Sequence, residues 1–127
     1  RGVTVQLIVP RRSDQFFVGN AARAYFEDLL RMGVEIYLFE ENLLHAKTMT
    51  VDEDLSFFGS SNFDIRSFAL NFEVNHLLYG KEVTRVLRQK QESYLRASTR
   101  LEEAVWKERC FPARLVQGIS KLLSPLL

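Results

Sequence analysis

The sequence is poor in several features that would assign it to a protein class at once. A single cysteine, Cys110, excludes an internal disulfide and fits a reducing compartment. No apolar run reaches the roughly 18 to 20 residues of a membrane-spanning helix, so we expect any membrane anchor to lie outside these residues. The formal net charge of +1 gives no indication of a nucleic-acid partner. What remains is a chain of 127 residues, 46% of them hydrophobic, which is enough for one domain with a real core.

The chain starts inside a β-prone segment. Its first residue is Arg1 rather than methionine, and residues 3–9 are rich in β-branched side chains before Pro10 closes the segment. This pattern is typical of a strand that is buried on both faces. We therefore expect a single domain over residues 1–127 that was excised from a longer protein.

The first half of the chain alternates strand and helix. Ser13 or Asp14 can cap a helix that runs to about residue 32, and Gly33 is its expected C-terminal stop. Residues 34–39 then resume as a strand. The order strand, helix, strand favours a parallel pair joined by a right-handed crossover.

The second half begins with a predicted hairpin. Residues 46–51 and 55–59 are β-prone and flank the acidic turn 52–54. Residues 71–79 form another predicted strand, and residues 82–97 form a helix that is charged on its outer face. Together these elements predict an α/β fold, with a mixed β-sheet flanked by helices on both faces.

Two more helices are expected at the C-terminal end. Thr99 and Glu102 form a capping-box signature for a helix to about residue 109, and Pro112 is expected to open the last one. The last helix carries an apolar stripe opposite polar residues that include Gln117 and Ser120. The stripe consists of Leu115, Val116, Ile119, Leu122 and Leu123. Two roles are open for it, packing on the sheet and contact with a membrane interface.

The most informative part of the chain lies in the hairpin and just after it. An H-x-K-x4-D spacing is followed by G-S-S-N and then by a glutamate. The residues concerned are His45, Lys47, Asp52, Gly59, Ser60, Asn62 and Glu73. His45 and Lys47 are two residues apart, so they lie on one face of the first hairpin strand. An imidazole, an ammonium, an amide and a carboxylate thus share one short unit, and these are the groups needed to attack a phosphodiester without a metal.

Each of these groups has an expected role in that attack. Neutral His45 can act as the nucleophile through one ring nitrogen and form a phosphohistidine, while the other nitrogen keeps its proton and donates a hydrogen bond to Glu73. Lys47 would neutralise one phosphoryl oxygen, and the Asn62 amide would donate a hydrogen bond to another. The scheme requires no metal and no cofactor.

One histidine cannot be both the nucleophile and the acid for the departing oxygen, because the two tasks need opposite protonation states. The other histidine, His76, follows Glu73 by three residues in the same predicted strand and therefore projects from the opposite face. We interpret His76 as a hydrogen-bonded strand residue without a catalytic role. The site is therefore expected to combine this half with a matching half.

These residues resemble the phospholipase D superfamily, whose HKD motif is H-x-K-x4-D followed by G-S-x-N. His45, Lys47 and Asp52 match the first element, and Glu73 matches the later carboxylate that orients the histidine. Residues 62–73 are similar to the N-x-D-x-R-S-x-x-L-N-x-E stretch of bacterial cardiolipin synthases. Nearly the whole chain resembles the carboxyl-terminal half of such an enzyme. The resemblance implies a phospholipase D-like catalytic domain that carries the second HKD motif of a longer protein.

The resemblance also gives the remaining polar residues their expected roles. Asp52 is expected to support the loop rather than to touch phosphate, and Ser60 to form a hydrogen bond near the phosphate. Arg66 is expected to pair either with a carboxylate or with lipid phosphate. Arg11 and Arg12 lie at the carboxyl end of the first strand, where they either contact lipid phosphate or belong to a solvated turn.

In this family two such motifs meet across a pseudo-two-fold axis. The implied partner is therefore a missing amino-terminal HKD half or a homodimer mate. The implied reaction moves a phosphatidyl group from one phosphatidylglycerol to the headgroup hydroxyl of another and releases glycerol. Its phospholipid substrate would be met at a membrane surface, on the cytoplasmic side of the bacterial inner membrane, while the fragment itself is expected to be soluble. The alternatives are a lipid hydrolase or nuclease of the same superfamily, and a half-domain that is inactive without its partner.

Overall fold

The computed structural model describes residues 2–13, 16–41, 44–62, 67 and 70–123, except for the side chains of Phe17 and Leu123. They belong to two compact units, one formed by residues 1–44 with 97–127 and the other by residues 45–96. The elements in chain order are β1 Gln6–Pro10, α1 Phe16–Ala24, α2 Phe26–Arg31, β2 Glu35–Phe39, β3 Thr48–Val51, β4 Leu55–Gly59, β5 Asn75–Tyr79, α3 Lys81–Arg96, β6 Ser98–Arg100, α4 Glu103–Lys107 and α5 Phe111–Leu123.

The first unit is built on a three-stranded sheet with the order β1-β2-β6. β1 and β2 run parallel, with Gln6 opposite Glu35, whereas β6 pairs with β2 in the antiparallel sense. The predicted parallel pair is therefore confirmed. The core of this unit consists of three buried apolar side chains, Phe26, Ile36 and Leu101. The partly buried Trp106 packs against them.

The helical segment between β1 and β2 forms two helices rather than the single predicted one. At Tyr25 the backbone amide donates to the carbonyl of Ala22, three residues back, at 3.2 Å, so the α-helical pattern is interrupted there. The predicted stop at Gly33 is confirmed. Its φ of +87° is a left-handed conformation that glycine adopts without strain, and its amide donates to the Leu30 carbonyl at 3.0 Å.

The second unit has an antiparallel sheet with the order β3-β4-β5. β3 and β4 form the predicted hairpin, with Thr50 opposite Ser56. The turn contains Asp52 at a φ of +50°, which aspartate tolerates better than most residues. α3 packs on the sheet at Ser56, where the buried hydroxyl of Thr84 lies 3.4 Å from the serine oxygen. The hairpin prediction is therefore confirmed.

The strand β5 begins at Asn75, four residues later than predicted. Upstream of this point the chain bonds to the loop after β4 instead of joining the sheet. The amide of Ser60 in that loop donates to the Val74 carbonyl at 3.0 Å. Residues 71–74 therefore support the candidate site described below rather than the sheet.

The predicted capping box at Thr99 is wrong. Thr99 lies in β6, which pairs with β2, and its hydroxyl donates to the Glu40 carboxylate at 2.6 Å. The next helix begins at Glu103, and Glu102 at its N-cap position makes no side-chain cap bond. Pro112 is the second residue of α5, so the predicted opening of the last helix is confirmed.

The last helix, α5, buries the side opposite to the one predicted. Gln117 and Ser120 are only 6% and 0% exposed. Three apolar residues of the stripe are instead largely exposed: Leu115 at 52%, Ile119 at 49% and Leu122 at 82%. α5 packs against α1, and the Gln117 amide oxygen accepts a bond from Arg109 Nε at 3.0 Å. The predicted packing of the stripe is therefore wrong for Leu115, Ile119 and Leu122, whereas Val116 is half-buried and the side chain of Leu123 lies outside the described part. Contact of the stripe with a membrane interface stays a prediction.

The predicted α/β fold is confirmed as a class. The described strands are divided between two three-stranded sheets, so the predicted mixed sheet corresponds to that of the first unit, and the second sheet is antiparallel. Across the described ranges, every helix is too short or too polar to span a lipid bilayer.

Candidate functional site

The two basic residues of the motif lie where the chain enters β3. The carbonyl of Lys47 accepts a hydrogen bond from the Gly59 amide at 3.1 Å, which ties the start of β3 to the end of β4. The Lys47 Nζ donates to the carbonyl of His45 at 3.2 Å. Lys47 is half-buried, whereas His45 is exposed. The hairpin therefore holds both residues at one end of the sheet, with His45 open to solvent.

Ser60 ties the loop after β4 to the segment before β5. Its Oγ accepts a bond from the Val74 amide at 3.0 Å and donates to the carboxylate of Glu73. A β-carbon added at Gly59 would lie 2.5 Å from the Val74 carbonyl oxygen, closer than real β-carbons approach. The G-S pair of the motif thus has a structural role. Gly59 allows the end of β4 to approach the backbone of Val74 closely, and Ser60 holds the two segments together through its hydrogen bonds.

Glu73 carries a stabilised negative charge close to Lys47. The hydrogen bond from Ser60 is the main cause that lowers the pKa of Glu73. Desolvation acts against this shift, and two neighbouring polar side chains and the Lys47 charge lower the pKa further. The carboxylate is thus bonded to Ser60 and feels the charge of Lys47, although no described ion pair joins it to that ammonium. Among the described residues no hydrogen bond joins Glu73 to His45, so the orientation of His45 by Glu73 stays a prediction.

We expect this bonded carboxylate to make the second unit acid-sensitive. Because the pKa of Glu73 lies below its ordinary 4.5 in the folded chain, its contribution to stability is present above pH 4.5 and is lost as the pH falls through the folded value. The free energy of unfolding should therefore fall more on acidification for the wild type than for Glu73→Gln. Urea unfolding at a series of pH values checks this, with exposed Glu92 on α3 as the matched Glu→Gln control. Equal slopes for the wild type and Glu73→Gln would contradict the prediction.

Asn62 lies on the same loop as Ser60. Its backbone amide donates to the Ser67 hydroxyl at 3.1 Å, and the residue is exposed. The loop starts at Gly59, whose amide is bonded to the Lys47 carbonyl. The loop therefore extends from the end of the sheet that carries Lys47, and it bears both Ser60 and Asn62.

Asp52 does not lie with the other predicted site residues of this unit, which we call the cluster: His45, Lys47, Ser60, Asn62 and Glu73. It lies in the hairpin turn at the other end of β3. It follows Lys47 by five positions, which is about 16 Å at the usual rise of a strand. Its backbone carbonyl accepts a hydrogen bond from Arg88 of α3. Asp52 therefore belongs to the turn, and its supporting role stays a prediction.

The two arginines of the predicted substrate site are not placed at the cluster by any described contact. Arg11 belongs to the first unit, where its guanidinium forms an ion pair with Glu40 at 2.6 Å. Arg66 lies outside the described residues. Substrate contact by either arginine stays a prediction.

His76 is held by a ring contact. It lies on β5 opposite Phe58 of β4, and the two ring centroids are 4.9 Å apart in a stacked arrangement. Because it follows Asn75 directly, it projects from the other face of the sheet. No side-chain hydrogen bond of His76 is found among the described residues, so its predicted hydrogen bond stays a prediction, and its described ring contact is with Phe58.

The cluster as a whole has the groups needed to bind and attack an anion. In the predicted scheme the ammonium of Lys47 would supply a positive charge, the carboxamide of Asn62 a donor, and the imidazole of His45 a nucleophile or a proton carrier, and these roles stay predictions. Within the described ranges no three His, Cys, Asp or Glu side chains form a group that could hold a metal ion. These side chains suit transfer of a phosphoryl group.

Sequence reasoning missed two residues of the loop support, Ser61 and Asn75. The Asn75 side chain bonds both to the backbone and to the hydroxyl of Ser61. The available signal was that Asn75 follows Glu73 by two residues, which places both on the same side of an extended chain.

Known proteins are similar to this sequence over its whole length or nearly so. Residues 1–95 match the family model described as cardiolipin synthase, PLD-like domain. The cardiolipin synthase of Geobacillus thermodenitrificans is 41% identical over 126 residues, which cover 99% of this chain and 25% of that protein. Cardiolipin synthase A of Cronobacter sakazakii is 42% identical over 127 residues, which cover 100% of this chain and 26% of that protein. The cardiolipin synthase of Clostridium perfringens is 36% identical over 126 residues, which cover 99% and 26% respectively.

No solved structure matches the chain. The chain spans about a quarter of the length of the curated relatives that it matches. The family match covers most of the chain and includes the whole cluster from His45 to Glu73. The chain therefore belongs to the family of phospholipase D-like domains of cardiolipin synthases.

Proposed function

We propose that the protein containing this chain transfers a phosphatidyl group between two molecules of phosphatidylglycerol, forming cardiolipin and releasing glycerol. The observation that carries this proposal is the cluster at the end of the hairpin, where Lys47, Ser60 and Glu73 come together beside the exposed His45. The names of the relatives supply the product class.

The reaction has two displacement steps at phosphorus. In the first, one of two imidazoles, His45 or its counterpart in a matching half, attacks the phosphorus of a phosphatidylglycerol. A P–N bond forms, the P–O bond to the glycerol headgroup breaks, and the other imidazole gives the leaving oxygen a proton. In the second, the headgroup hydroxyl of another phosphatidylglycerol gives its proton back to that imidazole and attacks the phosphorus. The P–N bond breaks and cardiolipin leaves.

Lys47 and Asn62 act on the charge that both steps place on the phosphoryl oxygens. The ammonium is a point charge that is held by its bond to the His45 carbonyl at 3.2 Å. The carboxamide can donate a hydrogen bond to a second oxygen. Groups fixed in this way before the reaction stabilise the transition state without having to reorganise.

We infer that the second imidazole comes from a matching half. The other histidine of this chain, His76, stacks on Phe58 and does not contact the cluster. The matching half lies either in the rest of a longer protein or in a second copy of this chain. In the relatives, the part outside the matched region is about three times as long as this chain. Without it, the half-domain is expected to be inactive.

Because the substrates are phospholipids, we propose that the protein works at a membrane surface, on the cytoplasmic side of the bacterial inner membrane.

Product analysis with the full-length protein tests this function. On phosphatidylglycerol vesicles it should form cardiolipin and glycerol in equal amounts, and faster than from a short-chain soluble phosphatidylglycerol. Phosphatidic acid in place of cardiolipin would show that water is the acceptor and would overturn the transfer. Cleavage of DNA without lipid turnover would favour the nuclease alternative.

A further inference from the structure

Three successive backbone amides of the loop after β4 are bonded within the protein. The Ser60 amide donates to the Val74 carbonyl at 3.0 Å, the Ser61 amide to Asn75 Oδ1 at 3.4 Å, and the Asn62 amide to Ser67 Oγ at 3.1 Å. Amides that are bonded in this way are not free to bind phosphate. At these three positions the loop can therefore act on an anion only through side chains, above all the Asn62 carboxamide. The position of that carboxamide depends on how the loop is held.

Asn75 holds the middle of the loop at two points. Its Oδ1 accepts a bond from the Ser61 amide at 3.4 Å, and its Nδ2 donates to the Ser61 hydroxyl at 2.6 Å. A carboxamide bonded at both ends has a fixed orientation and in turn fixes the residue it binds. Ser61 lies directly between Ser60, which binds Glu73, and Asn62.

Asn75 also lies against the glycine that begins the G-S-x-N element of the motif. It is opposite Gly59 in the β4–β5 register, and a β-carbon at Gly59 would lie 2.2 Å from Asn75 Oδ1. The Gly59 amide is in turn bonded to the Lys47 carbonyl at 3.1 Å. The Asn75 side chain therefore contacts both Gly59, which joins the loop to Lys47, and Ser61 at the centre of the loop.

We propose that Asn75 is a positioning residue for phosphatidyl transfer, acting through Ser61 to set Asn62 relative to Lys47. This inference rests on the proposed function. Asn75 does not touch the substrate in this scheme, so its loss should disturb the geometry of the chemical step rather than the binding of lipid. The expected signature is a fall in kcat with little change in KM.

Asn75→Leu and Asn75→Ala in the full-length protein test the proposal. Leucine keeps the size and branching of asparagine but makes neither bond, so both variants should behave alike. We expect kcat for cardiolipin formation on phosphatidylglycerol vesicles to fall about tenfold, with KM within about twofold of the wild type. Adding Ser61→Ala to Asn75→Leu should cause no further loss, because the partner is already gone.

Hydrogen exchange supplies a readout that does not depend on activity. Protection of the Ser61 amide should fall about tenfold in Asn75→Leu. Asn20→Ala is the matched control, because Asn20 of α1 also makes a side-chain bond, to the Phe16 carbonyl at 2.9 Å. It should keep both the kcat and the Ser61 protection of the wild type.

Three results would overturn the role of Asn75. These are wild-type kcat in Asn75→Leu, a fall in kcat with unchanged protection of Ser61, and a further additive loss in the double variant. A wild-type protein that forms no cardiolipin would instead refute the proposed function. In that case the exchange of the Ser61 amide still decides whether Asn75 holds the loop.

Discussion

The full-length protein with His45→Ala is expected to form cardiolipin about 10⁴-fold more slowly than the wild type. Alanine removes either the nucleophile or the general acid, whichever His45 is, and leaves only the charge stabilisation by Lys47 and Asn62. KM for phosphatidylglycerol should change little, because the lost interaction belongs to the chemical step. Initial rates of product formation on phosphatidylglycerol vesicles measure both constants.

His76→Ala is the matched control, since the chain has two histidines. His76 stacks on Phe58 outside the cluster, so its loss should leave kcat within about threefold of the wild type. Thermal unfolding shows whether each variant is folded. The assignment of His45 fails if its folded alanine variant keeps more than about a tenth of wild-type turnover, or if the His76 variant is equally impaired.

Features of the fold with a local cause could be predicted from the sequence. Gly33 ends a helix because glycine suits its φ of +87°, and the hairpin turn at 52–54 depends on the residues of the turn itself. The errors concern partners that are distant in sequence. Thr99 has the spacing of a helix cap, but β6 pairs with β2 and the hydroxyl binds Glu40, 59 residues away. Gln117 is buried because a guanidinium satisfies its amide, which a hydrophobic pattern cannot indicate.

In the candidate site, residue spacing predicted the chemical groups better than their geometry. The segments that carry Lys47 and Glu73 lie together because the end of β4 is bonded to both of them. Asp52 belongs to the same spacing pattern, yet the four residues of β3 separate it from the cluster. Asn75 could not have been found from spacing alone, because its contacts depend on the register of β5 against β4.

Lys47→Met is expected to lower kcat by about 10²- to 10³-fold, the usual effect of removing one group that stabilises transition-state charge. Methionine keeps much of the length of the side chain but has no ammonium. The Ser60 hydrogen bond is the main cause that lowers the pKa of Glu73 and stays in this variant, so loss of the smaller Lys47 contribution should raise that pKa only slightly. Lys47→Arg should recover part of the activity, since it keeps the charge in a different geometry.

Lys81→Met is the matched control for the lost ammonium. The Lys81 ammonium pairs with Glu53 at 3.4 Å, and both side chains are largely exposed, so turnover should be unchanged. An NMR titration of the Glu73 carboxyl group separates the two effects of Lys47. A higher pKa of Glu73 with normal turnover would mean that Lys47 only supports the carboxylate, and its role at phosphate would be wrong. Lost turnover with an unchanged pKa would mean that the ammonium acts at the phosphate and that the pKa of Glu73 is set by its hydrogen bonds, above all the one from Ser60.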